Sequence, residues 1–267
     1  MGDAGSGPAP GNGPAPGNGP APDWEPGDGS AEDRTWLADW RRRIAALYVE
    51  VRDIATADPM AALDHWRAVR ERLFRDHPQS PVPAAERGSF RARHFDHDPA
   101  LRFIVRLEAE PGPDAGPADP GSNAGPADAG SNAGPAGPAG SGFGGLTLEL
   151  PVSDGKAMRF DRIGRVTVPF PAGERSLAVY WMGGYAGGLF IPFRDATNGR
   201  ETYGAGRYAI DAAKSADLGG DPHAGTFVLD LNFAFQPSCA FDPRWACPLA
   251  PPENRLDLEV RAGERLA

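Results

Sequence analysis

The glycine-rich segment at residues 202–208 carries Arg207, which stands at the start of a predicted strand. A guanidinium that enters a β core must be matched by a carboxylate or by backbone carbonyls, and the nearest candidates are Asp195, Glu201 and Glu253. One hypothesis is a structural ion pair that fixes one end of the fold. The other is a clamp that holds the carboxylate or phosphate of a small molecule. No helix is predicted after the segment, so it lacks the helix N-terminus of the usual phosphate sites.

Cys239 and Cys247 are the two cysteines of the chain, and seven residues separate them. They are open to interpretation as a buried pair of reduced thiols, as a disulfide or redox pair, or as a nucleophile and its neighbour. No Cys/His/Asn pattern supports the nucleophile, and the five histidines show no paired spacing that would complete a zinc site. The run at residues 94–98 offers imidazoles and carboxylates to a divalent ion, but a solvated loop before Arg102 explains it more simply. We therefore predict no metal, and the sequence assigns no cofactor.

Beyond Phe90 apolar residues alternate with polar ones, and turn residues interrupt them about every 8 to 15 positions. Such short alternating segments are typical of antiparallel strands. No helix-length pattern separates them, which favours an antiparallel β-barrel or β-sandwich of about 8–9 strands over an alternating α/β fold. The predicted strands are Arg102–Ala109, Leu146–Val152, Ala157–Phe160, Ile163–Pro169, Ser176–Met182, Leu189–Asp195, Arg207–Asp211, Phe227–Phe233 and Leu256–Arg261.

Residues 31–77 are the predicted helical region. Ser30 and Asp33 make a capping box, after which apolar residues recur every three or four positions. Asp58, followed by a proline, indicates the start of a second helix. We expect this N-terminal helical pair to pack through its apolar stripes on the β domain at residues 90–267.

Residues 1–30 and 111–142 are low-complexity segments with nine glycines and seven prolines each. They contain too few apolar residues to offset the entropy of ordering, so we predict a disordered tail and a disordered insertion. Together they carry seven acidic residues and no basic one, so the formal charge of the remaining chain is −2 rather than −9.

A nearly neutral chain without a block of basic residues has no electrostatic footprint for nucleic acid. No apolar run is long enough for a membrane-spanning helix, and the polar N-terminus lacks the basic and apolar parts of a signal peptide. We therefore expect a soluble, cytoplasmic protein with neither nucleic acid nor membrane as a partner.

Residues 193–208 follow the pattern Phe-x-Asp-x-Thr-x-Gly-x-x-Thr-Tyr-x-x-Gly-Arg-Tyr. Residues 232–254 begin with Asn-x-Ala-x-x-Pro-x-Cys-Ala and end with Cys-Pro-Leu-x-Pro-Pro-x-Asn. These segments resemble the family called domain of unknown function 1684, and the resemblance implies a shared fold but no established activity. Two departures matter. The extra segment of longer members is missing between Ser80 and Phe90, and His94 stands where many members have tyrosine.

The candidate ligand-binding residues come from these two segments. We predict that Tyr203 and Arg207 contact a polar or anionic group of a small molecule, while Asn232 and Asn254 orient it. The proline-rich segment at residues 237–254 cannot form a central strand, and we expect it to lie over the β domain with its last two residues near Arg207. The full candidate set is Asp195, Thr202, Tyr203, Arg207, Asn232, Cys239, Glu253 and Asn254.

A small-molecule-binding β-barrel is the leading hypothesis for the function. The alternative is a hydrolase-like enzyme, with Asp195 or Glu253 as general base and Tyr203 or Cys239 assisting. A scaffold without a ligand, in which the same residues form a satisfied polar network, is the third. An open cavity on which the candidate residues converge would favour binding or catalysis, whereas complete mutual pairing would favour the scaffold. The sequence leaves the ligand, any reaction and the oligomeric state open.

Overall fold

The computed structural model describes residues 29–110, 146–183 and 187–266. The predicted disordered insertion at residues 111–142 lies outside these ranges, as does the predicted tail at residues 1–30 except for its last two residues. Within the described ranges, no helix has the length and apolar character needed to cross a membrane.

Two long helices open the described chain. Helix α1 spans Ala31–Ala55, and the Ser30 hydroxyl caps it by accepting a hydrogen bond from a first-turn N–H. Helix α2 spans Pro59–Asp76, with the Asp58 carboxylate as its N-cap. Both helices begin where the capping patterns predict. A single turn, α3 at Ala84–Arg87, follows them.

Eleven strands lie in the described ranges, and all their pairings are antiparallel. The prediction of a mainly antiparallel β protein is therefore confirmed. The strands are β1 Arg93–His94, β2 Arg102–Arg106, β3 Glu108–Ala109, β4 Leu146–Pro151, β5 Ala157–Phe170, β6 Gly173–Met182, β7 Gly188–Phe193, β8 Arg207–Asp211, β9 Gly220–Asp221, β10 Thr226–Asp230 and β11 Glu264–Arg265.

The strands form three sheets. The largest has the order β3-β5-β6-β7-β8, with β4 also paired to β5, and a smaller sheet has the order β2-β10-β9. The third sheet pairs β1 with β11. Within the described ranges, no sheet closes on itself to make a barrel.

Both faces of the largest sheet are buried, and β6 shows how. Leu177 and Val179 face a core shared with the β2-β10-β9 sheet, while Ala178 and Tyr180 face a second core shared with α1 and α2. The two sets alternate because successive side chains of a strand point to opposite faces. Trp66 of α2 is fully buried in the second core. The helices therefore cover one face of the sheet, and the small sheet covers the other.

A β-bulge at Ile163 changes the face that β5 presents. Arg162 and Gly164 pair with adjacent residues of β6, so Ile163 is an extra residue in the strand. Before the bulge Phe160 packs in the core under the helices, and after it Val166 packs in the other core. The two short strands predicted here are one continuous, bulged strand.

The strand predicted at Leu256–Arg261 does not form. This segment makes isolated backbone hydrogen bonds to Arg194 and Ala196, and the Val260 N–H donates to the Asp195 carboxylate at 2.9 Å. Because a side chain takes the place of a neighbouring strand, no ladder develops.

The strand predicted at Phe227–Phe233 ends early, at Asp230. Its carboxylate accepts the N–H of Asn232 and starts a 3-10 turn. Four observed strands have only two residues each, too few to show an alternation in the sequence, and three of them, β1, β9 and β11, lie outside every predicted strand.

Candidate functional site

Arg207 is completely buried at the first position of β8. Its Nη2 lies 2.8 Å from Asp195 Oδ2 and donates to the carbonyl of Val260, also at 2.8 Å. Its Nη1 donates to the carbonyls of Ala262 and Glu264. Burial lowers the pKa of the guanidinium, and the Asp195 carboxylate opposes that effect. This geometry is that of a structural ion pair which fixes the C-terminal segment to β8.

The Asp195 carboxylate is fully engaged. Its Oδ1 accepts from the backbone N–H of Thr197 at 3.1 Å and from the hydroxyl of the same residue at 2.6 Å, while Oδ2 holds Arg207 and Val260. The Thr197 hydroxyl lies 2.8 Å from the hydroxyl of Thr202, and both threonines are completely buried. A carboxylate with four such donors is poorly placed to accept a substrate proton.

Asn232 and Asn254 hold backbone segments together at two different places. The Asn232 side chain pairs with both the N–H and the carbonyl of Asp98, at 2.9 and 2.8 Å, which joins the loop before β2 to the turn after β10. The Asn254 side chain bonds the N–H and carbonyl of Ala178 and the carbonyl of Pro192. Both amides are completely buried, so each acts within the framework.

Glu253 is also paired away from Arg207. It accepts a hydrogen bond of 2.7 Å from the Tyr180 hydroxyl and lies 3.8 Å from Arg162 Nη1. Burial, together with this carboxylate, raises the pKa of Tyr180. Neither Glu253 nor Asn254 is among the hydrogen-bond partners of Arg207 in the described structure, in contrast to the expectation that the proline-rich segment brings them there.

The two cysteines form a separate cluster with Tyr203 and Ser153. Both are buried and reduced, and the backbone N–H of Cys239 donates to Cys247 Sγ at 3.3 Å. The hydrogen bond from Cys247 first, and then the neighbouring Ser153 and Tyr203 hydroxyls, outweigh burial and lower the pKa of Cys239 to about 6.

The same contacts raise the pKa of the other two acidic groups. Cys247 donates its proton to Cys239, and with burial this holds the pKa of the Cys247 thiol well above its usual range. Burial, followed by the hydrogen bond to Cys239, raises the pKa of Tyr203 to about 12. The cluster thus contains one sulfur that ionises readily and one that does not.

A cavity of about 210 Å³ lies where α3, β1 and β11 meet the 3-10 turn at Ser238–Ala240. Val82, Phe90 and Phe241 form apolar walls. We name it the arginine-lined cavity, after Arg91, Arg93 and Arg265 on its border.

Positive charge predominates around the arginine-lined cavity. Its three arginines have no carboxylate partner among the described residues, although Arg91 donates to a backbone carbonyl. Of the two acidic residues on its border, Glu86 is exposed and has no basic partner in the same ranges. Glu264 is buried in an ion pair with Arg70, with its Oε1 2.5 Å from Arg70 Nε. Three unpaired arginines therefore face one unpaired glutamate.

Two residues on the border of this cavity each have a buried polar atom without a hydrogen-bond partner, Gln236 Oε1 and Arg265 Nε. The Gln236 amide is held in place, because its Nε2 donates to the Arg265 carbonyl at 3.2 Å and its backbone N–H donates to Glu264 at 2.8 Å. Buried polar groups are nearly always paired. One acceptor and one donor are therefore unused here.

In the described part of the chain, no three His, Cys, Asp or Glu side chains are grouped so that they could hold a metal ion. The candidate residues predicted from the sequence belong to separate groups: an ion-pair network, two side chains that bridge backbone segments, a Tyr–Glu pair and a thiol cluster. The structure brings together Asp195, Thr202 and Arg207, and it brings Tyr203 to Cys239. Asn232, Glu253 and Asn254 make their contacts elsewhere.

Residues 144–265 match the family model described as Protein of unknown function (DUF1684). The match covers a little under half of the chain. The resemblance carried by the two C-terminal segments is thereby confirmed.

The fold of the DUF1684 region and its surroundings recurs in a solved structure. The chain is similar to an uncharacterized protein of Haloarcula marismortui, determined by NMR in solution, with 27% sequence identity and a TM-score of 0.51. The similarity covers 80% of this chain and 97% of that protein, so it extends beyond the DUF1684 region. None of the curated proteins matches this chain.

Sequence reasoning missed the arginine-lined cavity, which is only partly built from DUF1684 residues. A signal was present, because Arg91 and Arg93 alternate in front of a phenylalanine and would share one side of a strand. Arg265 could not be connected to them from sequence, since only the pairing of β1 with β11 places Arg93 opposite it.

Proposed function

We propose that this protein binds a small anionic molecule in the arginine-lined cavity. The observation that carries the proposal is the group of three arginines without carboxylate partners, Arg91, Arg93 and Arg265, beside the unused acceptor of Gln236. Guanidinium groups match carboxylates and phosphates with paired hydrogen bonds, which favours either group as the anionic part of the ligand.

The size and the walls of the cavity limit the range of ligands that fit it. A volume of about 210 Å³ is below the roughly 300–1,000 Å³ of sites for drug-sized ligands, so the molecule is compact. Phe90 and Phe241 pack edge to face, with their centroids 5.9 Å apart and their planes at 72°. A flat apolar group fits against such rings. An O–H or N–H group on the ligand would satisfy Gln236 Oε1.

The residues predicted from the two motifs take a supporting part in this proposal. Arg207 bonds the carbonyl of Glu264, and the Glu264 carboxylate orients Gln236. The buried ion pair of Arg207 with Asp195 thereby helps to fix the cavity without contacting the ligand. We take the scaffold to be a β-sandwich rather than a barrel, because two sheets share one core. The cytoplasmic location stays a prediction.

Binding of defined probes tests the proposal. Benzoate and phenyl phosphate carry a flat ring and an anion, and benzamide is the neutral counterpart of benzoate. We expect calorimetric titration to detect benzoate or phenyl phosphate, and benzamide to bind at least about tenfold more weakly, since charge-assisted hydrogen bonds are lost. Native mass spectrometry of the freshly purified protein would identify a molecule that is retained.

Arg93→Gln and Arg41→Gln form a matched pair of variants. Both arginines are exposed and have no ion-pair partner in the described structure, but only Arg93 borders the cavity. We expect Arg93→Gln to weaken binding of the anionic probe at least about tenfold and Arg41→Gln to leave it unchanged. Equal effects of the two variants, equal binding of benzoate and benzamide, or no binding of either anion at millimolar concentration would overturn the proposal.

A further inference from the structure

The thiol cluster of Cys239, Cys247, Ser153 and Tyr203 is independent of the arginine-lined cavity and of the proposed function. We infer that Cys239 and Cys247 are a redox-active dithiol, which forms a reversible disulfide by exchange with a small disulfide, and that Cys239 is the attacking sulfur. The inference begins from placement, because the backbone N–H of Cys239 already donates to the Cys247 sulfur at 3.3 Å.

The surroundings of the two sulfurs differ in a way that gives each a role. The Cys247 thiol and the Tyr203 hydroxyl donate to the Cys239 sulfur, and together with the neighbouring Ser153 hydroxyl they lower its pKa to about 6. A thiolate, rather than a thiol, attacks a disulfide. Cys247 is the donor in this pair and is the more deeply buried of the two, 3% exposed against 7%. Cys239 therefore attacks first, and Cys247 resolves the mixed disulfide.

The backbone around the pair is held by contacts that do not involve the sulfur of Cys239. The Cys247 N–H donates to the Ser153 hydroxyl at 3.0 Å, and that hydroxyl donates to the carbonyl of Trp245 at 2.9 Å. The Ser153 N–H donates to the Cys247 carbonyl at 3.0 Å. Cys247 is thus anchored by two hydrogen bonds to Ser153, just after β4, while Cys239 lies in a short 3-10 turn.

The loop between the two cysteines gives a reagent its access. Residues 243, 244 and 246 are exposed, and Tyr203, which touches the Cys239 sulfur, is only half-buried. A small displacement of the turn at Ser238–Ala240 would uncover the sulfur without unfolding the sheets, and openings of this local kind are common in native proteins.

The exchange balances in two steps. The Cys239 thiolate bonds to one sulfur of the small disulfide RSSR, whose S–S bond breaks to release RS⁻. Cys247 then gives up its proton, attacks Cys239 and displaces the second RS⁻, so that a Cys239–Cys247 bond has formed. With two protons taken up by the leaving thiolates, the sum is RSSR plus two cysteine thiols giving one protein disulfide and two RSH. The protein dithiol is oxidised and the small disulfide is reduced.

The test uses the full chain, oxidised glutathione as the probe and intact-mass spectrometry as the readout. We expect the wild type to lose the mass of two hydrogens and to retain no glutathione. Cys247→Ser should hold one glutathione on Cys239, because nothing resolves the mixed disulfide. Cys239→Ser should react at least about tenfold more slowly, since Cys247 is buried and protonated. Circular dichroism checks that each variant is folded.

A second measurement separates this role from that of a merely structural thiol pair. The rate of alkylation by iodoacetamide should rise with pH around a midpoint near 6 in the wild type. The midpoint should move upward in Cys247→Ala, which removes the strongest donor to the Cys239 sulfur, and also in Tyr203→Phe, which removes a weaker one. Tyr180→Phe is the control and should leave the midpoint in place, because Tyr180 bonds Glu253. Equal rates for the two single-cysteine variants, an unmoved midpoint in Tyr203→Phe, or a wild type that oxidises only when denatured would overturn the inference.

Discussion

The side-chain amide of Asn254 pairs with both peptide groups of Ala178, accepting its N–H at 2.7 Å and donating to its carbonyl at 3.0 Å. The same amide donates to the carbonyl of Pro192 at 2.7 Å. Strands β6 and β7 pair directly only over Tyr180–Met182 and Gly188–Phe190. Where the two strands separate, one side chain therefore takes the place of the missing ladder.

Asn254→Ala should destabilise the protein strongly. It leaves the N–H and carbonyl of Ala178 and the carbonyl of Pro192 buried without this partner, and each unsatisfied group costs about 1–3 kcal/mol. We expect the free energy of unfolding in urea to fall by about 3 kcal/mol or more. Glu253→Gln, at the neighbouring position, keeps an acceptor for Tyr180 and serves as the mild control. Similar losses for the two variants would contradict this account of Asn254.

Replacement by alanine should affect stability very differently at two glycines of the segment at residues 202–208. Gly206 has φ +108°, and a Cβ there would lie 2.6 Å from the Phe193 carbonyl oxygen. Gly204 has no such φ, and its Cβ would meet only Gly199 Cα at 3.9 Å. We expect Gly206→Ala to cost about 2 kcal/mol or more and Gly204→Ala to change stability by less than about 1 kcal/mol. Thermal unfolding of the two variants side by side measures the difference, and equal melting temperatures would disprove it.

The buried ion pair of Arg207 should matter far more than the exposed pairs of Arg261. Arg207→Met leaves the Asp195 carboxylate buried without its cation, which costs about 3–5 kcal/mol in comparable sites. Arg261 is exposed and lies 2.8 Å from Glu201 and 2.9 Å from Glu259. Arg261→Met should leave the urea midpoint close to that of the wild type, because exposed pairs contribute little. A small effect of Arg207→Met would contradict the view that the guanidinium, with its ion pair and its three carbonyl contacts, stabilises the fold.

His94 should make stability depend on pH in the acidic range. Burial lowers its pKa from 6.5 to about 4, its Nε2 has no partner in the described structure, and its ring packs on Trp66. The charges of nearby residues act less strongly on this pKa: Glu264 and Glu71 raise it, and Arg67 and Arg70 lower it. Since the unfolded chain binds the proton more tightly, His94 supports the fold above pH 6.5, and this support is lost as the pH falls toward 4, by up to about 3 kcal/mol.

His94→Phe keeps the ring contact and removes the titration. Urea unfolding at several pH values should therefore show a flatter dependence between pH 6.5 and 4 than in the wild type. The pKa of His77 is also lowered by burial, but His77 is present in both proteins, so the comparison isolates His94. His223→Gln changes an exposed histidine and should follow the wild-type curve. Identical pH curves for His94→Phe and wild type would rule out the proposed effect.

Local signals in the sequence predicted much of the fold. Ser30 and Asp58 predicted both helix starts, because capping depends on residues close together in the chain. Alternation predicted β8 to the residue and most of β6 and β7. It failed at Leu256–Arg261, whose partners are a carboxylate and scattered backbone groups rather than a strand. Spacing alone cannot reveal partners of that kind.

The candidate site was less accessible to sequence reasoning. The need of Arg207 for a carboxylate was predictable, and Asp195 was among the candidates. The three carbonyls that complete its surroundings come from the irregular residues 260 and 262 and from the first residue of β11. The motif pattern also suggested one shared site. Instead, residues close in sequence, such as Glu253 and Asn254, bond different parts of the sheet. Neighbouring residues can point in different directions, so a motif groups residues without fixing a common target.

The bulge at Ile163 has a consequence for comparing this chain with its relatives. In an unbroken strand Phe160 and Val166, six positions apart, would face the same side of the sheet, and the extra residue is what places the aromatic ring and the aliphatic side chain in different cores. A relative that lacks only this residue would keep both side chains on their present sides, provided that the gap in the alignment is placed at the bulge. Alignments that place a gap freely within β5 would equate residues from opposite sides of the sheet.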